Sequence, residues 1–427
     1  MTSKAPSDGL AAREAALHLL ESALARRGGL DEALSAKPFA SLEPRDRAFA
    51  RALAMAALRR LGPIDQALDK RLQREPPPRV RNILRLGAAQ AFWLDVPDFA
   101  AVSTSVAMAG AGKASRPFKG LVNAVLRRLI GEGAPPTDPA SLAPDWLRAR
   151  WRAAYGEADA QAIAAMIAEE PATDLTPKDE PDAGLISALE AEALPGGSLR
   201  VRRRGDITEW AGYVEGRWWV QDAAAAVPAR LLAVKPGESA LDLCAAPGGK
   251  TLQLAAAGAV VTAIDRAPAR LKRLTDNLAR TGLTAEVIAA DAAEWADGRT
   301  FDAVLLDAPC ASTGTFRRNP EVLWSVRPGD IAKLAQVQAK LLDAAATRVK
   351  PGGRLIYCVC SLEPEEGEAQ ATAFLKRHPD FVASPIKPGE GGAPEASATR
   401  DGRLRILPHH IAGGTDGFFA ARFTRQG

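Results

Sequence analysis

Beyond Pro236 short apolar runs alternate with amphipathic helical stretches, and no other feature of this 427-residue chain restricts its fold as far. Runs of strand character lie at Ala240–Cys244, Val260–Ile264, Glu286–Ala289, Ala303–Leu306 and Arg354–Val359, separated by helical segments such as Ala267–Leu278 and Ile331–Val349. The alternation predicts a parallel, doubly wound sheet, since each parallel connection needs a crossover long enough to hold a helix. Ligands of such sheets bind at the carboxyl ends of the strands. After a Gly/Ala/Pro/Ser-rich loop at Gly389–Gly402, two last strands near Leu404–Leu407 and Phe418–Phe423 are expected to pair antiparallel at the end of the sheet.

The first 134 residues read as helices instead. Apolar positions recur at three- and four-residue spacing in Ala12–Leu24, Asp46–Leu61, Ile64–Leu72, Val80–Phe92 and Leu121–Leu129. Breaks are expected at Gly28-Gly29, Gly62-Pro63, Pro76–Pro78 and Pro97, and Gly131–Pro139 reads as a linker. Between the two regions, Pro144–Tyr155 has the pattern of a Trp-bearing helix and Ser198–Val220 that of short strands with turns. The expected organisation is multidomain: an all-α domain over 1–134, a small connecting α+β subdomain over 140–235 and an α/β domain over 236–427.

Charge follows the same division. Residues 1–134 carry 21 Lys and Arg against 13 Asp and Glu, which leaves 34 against 38 for the rest of a chain whose totals are 55 and 51. A basic module joined to a slightly acidic one suggests a polyanion-binding half and a catalytic half. A hydrophobic fraction of 47% excludes wholesale disorder. No uncharged apolar run approaches the roughly 18 residues of a membrane helix, and the N-terminus lacks the apolar core of a signal peptide. Four cysteines without a disulfide framework point to a reducing compartment. A soluble, cytoplasmic monomer is expected.

Three places carry chemistry. Leu241–Thr251 (LDLCAAPGGKT) reads as a strand, a Gly-rich turn and a helix start, where backbone N–H groups face a ligand. A phosphate-binding P-loop would need glycine at position 244, which is Cys244. Asp265, Asp291 and Asp307 each end or follow a strand, a pattern suited to a nucleoside-bearing cofactor, while the dinucleotide signature G-x-G-x-x-G is absent. Cys310 lies just past one strand end, in DAPCASTG, and Cys358 and Cys360 lie at the next, in YCVCSL, so adjacent strands bring them to one edge. The four histidines fall outside these segments, which disfavours a Cys–His hydrolase. The cysteine spacing is a poor match to zinc, and no metal is expected. A thiolate nucleophile acting without histidine is what remains.

These segments resemble a known family. LDLCAAPGGKT, DAPCASTGTFRRNPE and YCVCSLEPEEGE are similar to the signature segments of the NOP2/Sun RNA cytosine-5 methyltransferases, which use S-adenosylmethionine. Arg45–Ala50 (RDRAFA), Ile83–Gln90 (ILRLGAAQ) and Leu121–Arg128 (LVNAVLRR) resemble the NusB-like RNA-binding domain fused to such methylases in the bacterial small-subunit ribosomal RNA enzymes. The resemblance implies an all-α NusB-like domain followed by a Rossmann-like (class I) methyltransferase domain, with ribosomal RNA as partner. It implies Cys360 as the nucleophile that adds to cytosine carbon 6, Cys310 as the assistant in adduct breakdown and Asp307 as the contact to ring nitrogen 3. Cys244, Ala245, Ala246, Pro247, Gly248, Gly249, Lys250, Asp265, Asp291 and Asp307 match the family's cofactor-binding positions.

Arg127, Arg128, Arg317 and Arg318 are the candidate phosphate contacts, since arginine pairs suit that role. The sequence departs from the family where Val359 replaces the usual threonine and Cys358 the more usual serine, and where Glu170–Lys178 lacks Arg-Val-Asn. A transfer RNA methyltransferase and a non-catalytic RNA-binding assembly factor are the alternatives. DNA methylation would make Cys310 the attacking group.

Overall fold

The computed structural model describes residues 9–26 and 28–427; the first eight, on which part of the N-terminal reading rests, lie outside the described residues. These residues group into two units. One runs to Glu169 and takes in Asn319–Val326; the other comprises Glu170–Arg318 and Arg327–Gly427.

The first unit is helical. Its central helix, Leu10–Ala25, buries Ala12, Ala15, Ala16, Leu17, Leu19, Leu20 and Ala23, apolar positions on most of its circumference, and so packs as an interior helix. Lys119–Glu132 buries only Val122, Val125, Leu126 and Leu129, one stripe at helical spacing, and leaves Arg127 and Arg128 exposed. Close approach decides one position: a Cβ on Gly87, in the helix Pro78–Trp93, would stand 2.6 Å from Leu126 Cδ1, so glycine is what lets that helix meet Lys119–Glu132. Removing the Leu126 side chain would cost about 2–5 kcal/mol.

The structure departs from or adds to the sequence reading at three places. Gly62-Pro63 does not break a helix but lies inside Leu61–Asp69, because a proline in the first turn gives up an N–H that has no helical partner. The chain turns one residue before that helix, at Arg60, with φ −119° and ψ 24°. The helix Asp98–Ala111 was not foreseen; its run of Ala, Ser, Thr and Met carries no sharp apolar stripe. Residues 140–235 do not stand as a connecting subdomain, since Pro139–Leu142, Asp145–Tyr155 and Glu157–Ala165 group with the first unit.

The second unit opens with a small antiparallel sheet of β1 (Thr173–Pro177), β2 (Glu192–Ala193), β3 (Leu199–Val201) and β4 (Trp218–Val220), ordered β2-β3-β1-β4. Leu175, Leu199, Val201, Trp210 and Trp218 form its core. The main sheet follows with β5 (Ser239–Leu243), β6 (Val260–Asp265), β7 (Glu286–Ala289), β8 (Phe301–Asp307), β9 (Val349–Val359), β10 (Phe381–Ala383), β11 (Leu404–Ile406) and β12 (Phe418–Arg425).

Its order is β10-β12-β9-β8-β5-β6-β7, with β11 pairing β12. β5 to β9 run parallel to one another, as the alternation predicts. The antiparallel β12 is inserted between β9 and the unforeseen β10, so the last long strand is internal rather than terminal. The chain winds from β5 toward β7 in one direction and from β8 to β9 in the other. The switch point therefore falls between β5 and β8, where open α/β sheets form their binding crevice.

Candidate functional site

At the end of β5 the backbone of Cys244 takes φ +62°, a left-handed conformation that favours glycine, before the loop enters the helix Gly249–Ala256. At Gly248, with φ +107°, a Cβ would lie 2.3 Å from Leu274 Cδ1, so only glycine fits. Asp265, buried at the end of β6, braces this loop by accepting from Ala246 N (3.1 Å) and from Ala267 N (2.9 Å). Asp242 on β5 is fully buried and accepts from Thr251 Oγ1 at 2.6 Å, while its Oδ1 has no partner. Burial pushes that carboxyl up to about 7 and the Cys244 thiol up to about 12, away from thiolate character. Asp291 is exposed and accepts from Ala293 N at 2.9 Å.

Lys250, on the first turn of the helix after the loop, places Nζ 2.7 Å from Asp307 Oδ2 at the end of β8. Burial works against the ammonium, but the Asp307 carboxylate outweighs it and the lysine is held above its ordinary value. The register pairs Asp307 with Cys358 on β9. Cys358 is buried and sends its thiol toward Asp307 Oδ1, 3.7 Å away, and burial raises it.

Cys310 and Cys360 meet. One follows β8 by three residues and the other follows β9 directly, and their Sγ atoms are 3.5 Å apart as free thiols. Because β9 ends at Val359, Cys360 leaves the strand that holds Cys358 and turns to Cys310. The hydrogen bond between the two thiols lowers Cys360 below the ordinary thiol range although burial opposes it, and the same bond together with burial raises Cys310. Cys360 is therefore the more acidic thiol of the pair. The edge holds one activated sulfur beside a carboxylate–ammonium pair.

The arginine expectations divide. Arg317 is only 2% exposed and donates through Nη2 to Gly413 O at 2.6 Å, so it is corrected from a phosphate contact to a buried tie on the 409–417 loop. Arg318 pairs with the fully buried Asp416 while 41% of its own side chain stays exposed. Its charge acts on Cys360. Arg127 and Arg128 lie in the first unit, bonded to Asn123 and Glu132 on their own helix.

Sequence reasoning missed Asp416, Gln338, Ser361 and Glu366, all fully buried. Glu366 stands within the quoted segment YCVCSLEPEEGE, but its acidic run reads as a solvated turn. Among the described residues no group of three His, Cys, Asp or Glu is placed to hold a metal ion. No helix among them is long and apolar enough to cross a membrane.

Comparison with known proteins bears on this edge. Residues 229–424 match the family described as 16S rRNA methyltransferase RsmB/F, and residues 10–131 match the NusB family. A protein of Xanthomonas campestris pv. campestris named ribosomal RNA small subunit methyltransferase B is 36% identical over 441 residues, covering 99% of this chain and 98% of that one. A Salmonella arizonae protein of the same name is 37% identical over 406 residues, covering 90% and 91%. Among solved structures, the crystal structure of PH0851 aligns with a TM-score of 0.79 at 26% identity, over 99% of this chain and 100% of that one.

Proposed function

As the chain belongs to the 16S ribosomal RNA methyltransferase RsmB/F family, with a NusB-family domain ahead of the methyltransferase domain, we propose that it methylates carbon 5 of a cytosine in small-subunit ribosomal RNA. The methyl donor is S-adenosylmethionine, and the reaction passes through a covalent bond between Cys360 and carbon 6. The observation that carries this reading is the pair of thiols 3.5 Å apart at neighbouring strand ends, with Cys360 the more acidic.

Carbon 5 of cytosine is a weak nucleophile. Addition of the Cys360 thiolate at carbon 6 forms the C–S bond and moves ring electrons toward carbon 5. S-adenosylmethionine, when bound, supplies an electrophilic methyl group on a sulfonium. We assign Asp307, oriented by Lys250, to ring nitrogen 3: as the thiolate adds, that nitrogen takes up a proton from water and donates the resulting N–H to the carboxylate. Once a base takes the carbon 5 proton, the C–S bond breaks and its electrons return to Cys360. The hydrogen bond from Cys310 that stabilises Cys360 as a thiolate then stabilises it as a leaving group.

The 244–250 loop, Asp265, Asp291 and Asp307 fit the cofactor by their chemistry: a helix N-terminus, carboxylates at successive strand ends and a buried, unpartnered Asp242 Oδ1 that offers one more acceptor. A cytosine inside a duplex must be unstacked to reach Cys360, so a loop or splayed nucleotide is the target. Arg318, Arg127 and Arg128 are assigned to phosphates.

Purified protein with tritiated S-adenosylmethionine tests the reading on unmodified 16S transcript, transfer RNA and DNA in parallel. Label at cytosine carbon 5 in the 16S RNA alone is expected, lost in Cys360→Ala. Cys310→Ala is expected to hold an SDS-stable protein–RNA adduct. Label confined to transfer RNA would overturn the substrate, and cofactor binding without label on any substrate would favour an assembly factor.

A further inference from the structure

Behind the two thiols the residue following each cysteine is bonded to the same side chain. Ala311, next to Cys310, donates its backbone N–H to Glu366 Oε1 at 2.9 Å and Oε2 at 3.1 Å. Ser361, next to Cys360, donates Oγ–H to Glu366 Oε2 at 2.5 Å. Gln338 completes the set from the helix Pro328–Ala346: its Nε2 donates to Glu366 Oε1 at 3.1 Å and to Pro309 O, on the other side of Cys310, at 3.0 Å. Glu366, Ser361 and Gln338 are all 0% exposed. Burial raises the Glu366 carboxyl, and the hydrogen bonds from Ser361, Ala311 and Gln338 oppose that rise. A buried carboxylate without such donors would be costly, so the arrangement is stable only when both cysteine loops are seated on it.

Resting on the reading above, we infer that Glu366 is the positioning residue of the cysteine pair: its carboxylate joins the residue after each thiol and so sets the spacing on which adduct breakdown depends. Glu366 touches neither the nucleotide nor the cofactor in this assignment. It acts through Ala311 and Ser361, and its loss displaces Cys310 from the sulfur it must stabilise. A thiolate donor moved by about 1 Å loses on the order of a hundredfold in rate. The groups that face Cys360 are Cys310, Ser312, Asp307, Asp416 and Arg318. Of these, Cys310 and Ser312 lie on the loop that Glu366 holds.

Full-length Glu366→Ala, Gln338→Ala, Cys310→Ala and wild type are compared after calorimetry shows that each binds S-adenosylmethionine. Two readouts are taken: SDS-stable adduct with 16S transcript and cofactor, and the pH profile of Cys360 alkylation by iodoacetamide, followed by peptide mass. Glu366→Ala is expected to turn over about 10–100-fold more slowly and to accumulate adduct as Cys310→Ala does. Its alkylation profile moves to higher pH, because Cys360 loses its donor. Gln338→Ala shows the same pattern in smaller measure and decides the matter if Glu366→Ala does not fold. A folded Glu366→Ala that is slow without adduct, while Cys310→Ala traps it, overturns the inference. So does an alkylation profile unchanged in both variants. If Cys310→Ala traps nothing and wild type makes no 5-methylcytosine, the proposed function fails, and the alkylation arm still judges Glu366 on its own.

Discussion

Arg81 in the helical unit reaches three acids, Asp65, Asp69 and Glu75, of which the last two are 60% and 64% exposed. Arg200 in the sheet unit pairs bidentately with Asp174, at 2.7 and 2.9 Å, with side chains 1% and 3% exposed. In the helical unit the pairs of Arg81 with Asp69 and Glu75 lie at the rim of an apolar core, where each is worth about 0–1 kcal/mol. The sheet unit uses buried charge to hold irregular backbone: Arg200 also donates to the carbonyls of Ala412 and Gly414, Arg317 to Gly413, and Asp222 accepts from Asp416 N and Thr415 Oγ1. A helix satisfies its own backbone, whereas loops that carry catalytic groups need outside partners. The difference marks where shape is set by pattern and where by specific pairing.

The largest effect that tests this comparison lies at the thiols. Cys360→Ala is expected to lower methylation by at least about a thousandfold, the scale on which loss of a covalent nucleophile acts, with the urea midpoint of the sheet unit unchanged. Next comes the buried pair. Asp174→Ala strands Arg200 and is expected to destabilise the sheet unit by about 3–5 kcal/mol in urea unfolding. Asp69→Ala, which leaves Arg81 with Asp65 and Glu75, is expected to cost the helical unit about 1 kcal/mol or less. Equal costs would break the comparison.

The sequence was legible where a repeat carries the information. The apolar runs located β5 to β8 to within two residues at either end, and the acids and cysteines at their ends followed from the doubly wound topology. β9 begins at Val349, five residues before its predicted start, because Pro351, Gly352 and Gly353 read as a turn. β1 was missed because TDLTP alternates poorly and its Asp174 is polar in sequence and buried in fact. Arg317 was misread for the same reason in reverse: its acceptor is a carbonyl 96 residues away, which no local pattern announces. Glu366 and Asp416 are likewise ordinary surface residues until their partners are known.

Asp242 sharpens the electrostatic side. Its carboxyl, at about 7 in the folded protein against an ordinary 3.8, binds its proton more tightly in the folded state. The stabilisation from that proton is present at low pH and is lost as pH rises through about 7. Asp242→Asn is expected to flatten the decline of stability between about pH 4 and pH 7 by a few kcal/mol. A thermal unfolding series across that range reads it directly. An unchanged slope would mean that the buried Oδ1 carries no penalty.

The smallest effects are expected at the exposed arginines, and they separate rim charge from buried charge within one residue type. Arg128, with 71% of its side chain exposed and a single i,i+4 partner in Glu132, contributes little to folding. Arg128→Ala and Arg127→Ala are expected to change stability by less than about 0.5 kcal/mol. If both meet phosphates, each weakens RNA binding several-fold and lowers the slope of log affinity against log salt by about 1. The turnover of bound RNA should stay at the wild-type value, because the thiols and Asp307 are untouched. Arg317→Ala gives the opposite signature, since its guanidinium is packed under Gly413 and Gly414: a loss of stability with no distinctive change in salt slope. A salt slope altered by Arg317→Ala in a protein of unchanged stability would return that arginine to the RNA surface and dissolve the distinction drawn between the two kinds of charge.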